Sequence, residues 1–297
     1  MRVLAIFGPT AVGKTGVAIE LAELLRERGE DPVAVSCDSI QVYRGLEVLS
    51  GAASEGERAR LEHRLLGVAG VEEEFSAGRF AKLAHAEIDQ LLAEGRRPIV
   101  VGGTGLYMRA ALSELDLRPP VPAEVRAEVE ADLARRGPEA LHAELSPELA
   151  SGVHPNDRKR IVRLTELSRL GIAPHPSADR LWSESLRVPT VLVGLTVDGD
   201  ELRARIDARV GEMVRAGAEA EVRAAAQAGA SRTARAAIGF DELLTGDVEG
   251  MKAAQWRFAR RQLTWMRRME GIEVIDRRGR DDAAVAAQIV NMLEEAA

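Results

Sequence analysis

The chain has 297 residues, of which 46% are hydrophobic and 29% charged, enough for one large packed core carrying a smaller insert. A single cysteine excludes a disulfide framework and fits a reducing cytoplasm, and no apolar run approaches membrane-spanning length. The formal net charge of −7 argues against nucleic-acid binding spread over the surface and leaves room for a local basic patch.

The amino-terminal "MRVLAIFG" is too short and too soon interrupted for a signal peptide and reads as a strand. "GPTAVGKT" follows, Gly8-Pro9-Thr10-Ala11-Val12-Gly13-Lys14-Thr15, and then an apolar-periodic run from about Lys14 to Arg28. Strand, glycine-rich turn and helix in that order are the context of a nucleotide-type phosphate-binding loop. Gly8 and Gly13 let backbone N–H groups converge on an anion, Lys14 adds charge, Thr15 offers a hydroxyl to magnesium, and the helix N-terminus adds its dipole.

Four further apolar runs read as buried parallel strands: "PVAVSC", "PIVVGG", "TVLVGLTV" and "IEVID". Helical patterns lie between them. The texture breaks at "DLRPPVP", Asp116 to Pro122, and the stretch to about Arg187 reads as short charged helices with no strand. The predicted architecture is therefore α/β: a P-loop NTPase-like parallel sheet with helices on both faces, formed by residues 1–115 and 188–297, with an inserted all-helical domain over 116–187. A long helix is expected from Asp200 to about Gln227, a loop at "GASRTARAAIG", a second long helix from about Val248 to Met269, and a terminal helix after Asp281.

A P-loop NTPase also uses a carboxylate at a neighbouring strand end to hold magnesium. "VAVSCDS" delivers Asp38 and Ser39, and Asp38 suits magnesium, a general base or a plain turn cap. "PIVVGGTGLY" delivers Gly102, Gly103 and Thr104 and no acid. The glycines suggest close approach of a ligand to the backbone, and Thr104 fits either a neutral hydrogen-bonding group or the N-cap of the next helix. On the second long helix Arg257, Arg260, Arg261, Thr264, Arg267 and Arg268 share one broad face, with Trp256, Leu263 and Met266 as an apolar stripe beside it. The histidines show no metal-ligand spacing.

With "GPTAVGKT", "SCDSIQVYRG", "VGGTGLYMRA", "HPNDRKRIVR" and "RRQLTWMRR" in order, the chain resembles the bacterial tRNA dimethylallyltransferases, the tRNA isopentenyltransferase family, over nearly its whole length. The resemblance implies magnesium-assisted transfer of a dimethylallyl group from dimethylallyl diphosphate to N6 of the adenosine just 3′ of the anticodon. It implies a diphosphate in the loop, Asp38 as general base, and Thr104 beside the reacting centre. It also places Asp38, Ser39, Ile40 and Gln41 on the flipped base, and Thr15 on Mg2+. Arg126, then Lys159, Arg160 and Arg163, then Arg260, Arg261, Gln262 and Arg267 match tRNA-contacting segments of the family. The expected partners are the anticodon stem-loop and the allylic diphosphate, in the cytoplasm, with no membrane and as a monomer. The chain departs from the family at "LEVLSGAAS", where a Gly-Thr-Ala-Lys-Pro run is usual, so a lysine is missing. Phe240 stands where tyrosine is usual, and it and Ala236 are expected to face RNA. The alternatives are an isopentenyltransferase for free AMP, which needs neither the insert nor the basic helix, a small-metabolite kinase, which the acid-free Gly-Gly-Thr end disfavours, and a non-catalytic P-loop binder.

Overall fold

The computed structural model describes residues 1–115, 121–172 and 185–295. In chain order the elements are β1 (Val3–Phe7), α1 (Lys14–Glu27), β2 (Pro32–Ser36), α2 (Glu47–Ser50), α3 (Glu55–Arg60), β3 (His63–Arg64), α4 (Ala77–Ala93), β4 (Arg97–Gly102) and α5 (Gly105–Leu112). Four helices follow: α6 (Ala123–Arg136), α7 (Pro138–Glu144), α8 (Pro147–Ala150) and α9 (Arg158–Arg169). The chain then returns through β5 (Thr190–Thr196), α10 (Gly199–Arg215), α11 (Ala218–Gln227), α12 (Arg232–Arg235), α13 (Phe240–Leu244), α14 (Val248–Met266), β6 (Glu273–Asp276) and α15 (Asp282–Glu295). By contacts the chain divides into Met1–Leu115 with Leu181–Ala297, and Asp116–Arg180.

The first unit is a six-stranded sheet in the order β3-β2-β4-β1-β5-β6. Every pairing is parallel. β1 and β2 are buried at every position, so both faces of the sheet are covered, as their unbroken apolar sequences require. α1 turns Val17, Ala18, Leu21, Ala22 and Leu25 inward and packs beside α15. It stops at Gly29, whose φ of 79° is the left-handed conformation that ends helices.

The five expected strands are present, and a sixth, β3, was missed because two residues carry no periodicity. The single helix expected over 200–227 is two, broken at Gly217 with φ 96°. The expected loop at 229–239 contains the helical turn α12, capped by Ser231 through the Ala234 N–H.

The second unit, over its described residues, packs α6, α7 and α9 around Val129, Leu141 and Ile161, with Leu133, Val153 and Val162 against them. Glu166 lies in this unit fully buried and holds both Arg126 and Arg163, with Arg126 Nε donating to Oε1 at 2.7 Å and Arg163 Nη1 to Oε2 at 3.2 Å. Burial works to raise the Glu166 carboxyl, and the two guanidiniums overcome it, leaving the group below the usual carboxylate range. No helix among the described residues is long and apolar enough to cross a membrane.

Candidate active site

The site is built on the carboxyl edge of three adjacent strands, where open parallel sheets bind ligands. The Gly8–Thr15 loop follows β1, Asp38 follows β2, and Thr104 follows β4, the strand between them. Loop geometry favours an anion. Ala11 sits at φ 63° and Gly13 at φ 93°, a left-handed arrangement that turns successive N–H groups toward one side. α1 begins at Gly13 with no side-chain cap and no acid in its first turn. Ser54, Ser76 and Asp247 cap α3, α4 and α14, whereas α1, like α5, α6 and α11, has no side-chain cap. The first N–H groups of α1 have no side-chain acceptor, an arrangement that suits an anion.

Lys14 folds back over the loop, donating to the carbonyls of Gly8 at 3.0 Å and Pro9 at 2.8 Å. Its amine is lowered to about 7, first by burial, next by the Arg209 guanidinium, against an opposing pull from Asp38. Arg209, on α10, is itself lowered by burial and raised by Asp38. Its Nη2 donates to Gly51 O at 3.3 Å and its buried Nε has no partner among the described residues. Arg209 is the functional candidate that sequence reasoning missed. It enters this charged cluster from a helix that carries no motif, beside the segment where the expected lysine is absent.

Asp38 closes a turn with one oxygen: Oδ1 accepts the N–H of Ile40 at 2.9 Å and of Gln41 at 3.4 Å. Oδ2 has no hydrogen-bond partner among the described residues. Asp38, Ser39, Ile40 and Gln41 are half-buried. The Gln41 side chain is held between Ser36 Oγ at 2.8 Å and Gly51 O at 3.3 Å. Thr104 does not cap α5 with its side chain. Its hydroxyl instead accepts the Ser39 N–H at 3.3 Å, joining the two strand ends.

The glycines before Thr104 are required by the chain's own packing. A Cβ at Gly102 would lie 1.9 Å from Cys37 O, and one at Gly103 would lie 2.1 Å from Gln262 Nε2 and 2.9 Å from Gly8 O. At both positions the protein's own chain approaches closely. Gln262 also differs from its neighbours on α14. It is 4% exposed, accepts the Thr10 N–H through Oε1 at 2.8 Å, and donates Nε2 to Gly103 O at 2.8 Å. Its amide thus ties the phosphate loop to the end of β4 from a buried position.

The remaining basic candidates fall on two surfaces. Arg257, Arg260, Arg261, Thr264, Arg267 and Arg268 are all exposed, and Met266 is buried, as the helical pattern required. Arg261 lies over the Phe258 ring at 5.5 Å, and Arg267 donates to Thr264 Oγ1 at 3.2 Å. In the second unit Lys159 and Arg160 are exposed at the start of α9, whereas Arg126 and Arg163 are half-buried on Glu166. Phe240 is fully buried beneath Arg235, so it does not face RNA; the apolar ring fills core where a hydroxyl would have needed a partner. Ala236 is exposed.

No cluster of three or more His, Cys, Asp or Glu suited to a metal exists among the described residues. The Thr15 hydroxyl, in the first turn of α1, has no partner among the described residues. A single hydroxyl beside a phosphate site fits magnesium, which takes most of its ligands from water and phosphate oxygens.

Fold and site together define a P-loop α/β protein with a phosphate-binding loop, an acid and a neutral hydroxyl on one sheet edge. A family model described as IPP transferase matches residues 41–269, and the chain belongs to that family. It is 42% identical to a tRNA dimethylallyltransferase of Anaeromyxobacter sp. (strain Fw109-5) over 92% of this chain and 94% of that one. It is 40% identical to the tRNA dimethylallyltransferase of Thermobifida fusca (strain YX) over 90% of this chain and 87% of that one. Among solved structures, the full-length tRNA isopentenylpyrophosphate transferase of Bacillus halodurans superposes with a TM-score of 0.72 at 30% identity, covering 99% of this chain and 96% of that one.

Proposed function

We propose that this enzyme transfers a dimethylallyl group from dimethylallyl diphosphate to N6 of the adenosine adjacent to the anticodon on its 3′ side in tRNA, giving N6-isopentenyladenosine. The observation that carries the reading is the meeting of the phosphate loop, Asp38 and Thr104 on one edge, in a member of this transferase family. In the reaction the C1–O bond of the donor breaks and diphosphate departs with the electron pair. The N6–C1 bond forms, and the N6 proton passes to Asp38.

The loop N–H groups, Lys14 and Arg209 face the charge that accumulates on the departing diphosphate, where preorganised donors contribute most. Thr15 would hold Mg2+ there, and the ion would supply further charge neutralisation. Asp38 Oδ2 is the oxygen left for the exocyclic amine, because Oδ1 is held by its own turn. The N6 lone pair is delocalised into the purine ring, so a base that accepts its proton as the bond forms lowers the barrier. Thr104 fixes the Asp38 turn through Ser39 and presents its hydroxyl to the same space. Asp38 to Gln41 receive a base turned out of the anticodon loop, an extrusion that is least costly in an unpaired loop. The exposed arginines of α14 and, separately, Lys159 and Arg160 of the insert contact tRNA phosphates. The protein works in the cytoplasm as a monomer.

The test is incubation of the purified chain with donor, magnesium and an anticodon stem-loop, followed by nucleoside mass spectrometry. Rapid ATP hydrolysis with no prenylated adenosine would overturn the reading.

A further inference from the structure

The phosphate loop is held from outside by an ion pair, Arg277 buried and Asp282 half-buried, that lies beyond every motif noted above. Arg277 directly follows β6 and is only 5% exposed. Its Nη1 donates to Val12 O at 2.5 Å, and its Nη2 donates to Asp282 Oδ1 at 2.6 Å, at the start of α15. Arg205 reaches the same Val12 carbonyl more distantly, at 3.5 Å. The pair is fitted closely to the loop. A Cβ at Gly13 would lie 2.0 Å from Arg277 Nη1, and one at Gly16 would lie 2.0 Å from Asp282 Oδ2. Neither glycine could be another residue without displacing the pair.

A trans peptide unit points its C=O and its N–H in opposite directions. A guanidinium that pulls the Val12 carbonyl to one side therefore aims the Gly13 N–H to the other, into the anion-binding concavity. Without that anchor only the longer Arg205 contact would restrain the Val12–Gly13 peptide, because Gly13 sits at φ 93° with no side chain of its own. Diphosphate would then have to turn the peptide before binding it. Arg277 lies on the carbonyl side with its charge balanced by Asp282, so its role differs from that of Lys14 or Arg209.

We propose that Arg277, anchored by Asp282, is a positioning residue that holds the Val12–Gly13 peptide with its N–H turned toward the diphosphate. The inference rests on the reading of Gly8–Thr15 as the diphosphate loop.

The test measures binding of magnesium and inorganic diphosphate to the full-length protein by calorimetry, for the wild type, Arg277→Ala and Arg277→Lys, with folding checked by circular dichroism. The wild type should bind. Arg277→Ala should weaken diphosphate binding about tenfold, the scale of one lost charge-assisted hydrogen bond, and Arg277→Lys should recover part of it. Affinity for an anticodon stem-loop should stay within about twofold, and in transfer assays KM for the donor should rise more than kcat falls. A folded Arg277→Ala with unchanged diphosphate affinity overturns the proposal, even if its melting temperature has dropped. Should Arg277→Ala not fold, Asp282→Asn carries the test: about threefold weaker binding is expected from a less firmly held guanidinium, and unchanged affinity overturns the proposal. A wild type that binds no diphosphate overturns the loop reading itself, and the inference with it.

Discussion

The Thr104 hydroxyl accepts the Ser39 backbone N–H at 3.3 Å, so the ends of β4 and β2 are joined by a side chain that faces the site and does not cap its own helix. Thr104→Ala should therefore leave α5 intact and loosen the Asp38 turn. The expected result is a slower single-turnover transfer with stem-loop affinity and melting temperature little changed. A large drop in melting temperature with normal transfer would return Thr104 to a purely structural place.

Asp38→Asn keeps the turn, since the amide oxygen can still accept the Ile40 N–H, and removes the proton acceptor. Single-turnover transfer should fall at least ~100-fold, the lower range for a positioned general base. Stem-loop affinity should move much less. Near-normal transfer would leave Asp38 as a turn cap only.

Lys14 gives a pH dependence with a definite sign. Its amine is held at about 7 in the free protein, below the ordinary 10.5, so above pH 7 it is mostly neutral. A bound diphosphate favours the charged form, so binding takes up a proton there. Affinity should fall as pH rises past about 7, by up to about tenfold per pH unit, and calorimetry in buffers of different ionisation enthalpy should show the uptake. In the same window the unfolded chain holds this proton more tightly than the folded one, so the ligand-free fold gains stability from Lys14 as pH rises. Binding with no proton uptake at pH 8 would contradict this account of Lys14.

Gln262 links Thr10 N–H to Gly103 C=O, two backbone groups with no other hydrogen-bond partner among the described residues. Gln262→Ala should cost about 2 kcal/mol of stability, read from the thermal transition, and weaken diphosphate binding more than stem-loop binding. The reverse preference would restore Gln262 to the tRNA surface where the family motif places it.

These residues also show what was legible in the sequence. The phosphate loop, Asp38 and Thr104 were readable because each is a strand-end motif whose chemistry is local. The exposed arginine face of α14 was readable because helical spacing alone fixes it. Arg277, and the ties of Gln262 to Thr10 and Gly103, were not, because these partners are remote in sequence and only the sheet order β4-β1-β5-β6 brings them together. Arg209 had no motif around it. Arg126 and Arg163 match tRNA-contacting segments of the family, and nothing in the sequence marks Glu166 as a buried acid that both hold. The Gly102–Gly103 pair was noticed, but the neighbour that requires it, the chain around Cys37 and Gln262, is visible only in three dimensions.

The α14 face predicts a salt-dependent grip. Stem-loop affinity should fall as salt rises, and replacing Arg260 and Arg261 by Ala should weaken binding and flatten the slope by up to about one unit per lost phosphate contact. With a formal net charge of −7, a steep slope requires the positive field to be confined to such a face.

The most direct test of the central claim compares acceptors with dimethylallyl diphosphate and magnesium present, an anticodon stem-loop against free AMP, with the product read by nucleoside mass spectrometry. The account predicts N6-isopentenyladenosine at the position 3′ of the anticodon and turnover of the stem-loop far above that of AMP, because remote contacts position and extrude the base. Equal use of AMP, or no prenylated product from the stem-loop, would contradict it.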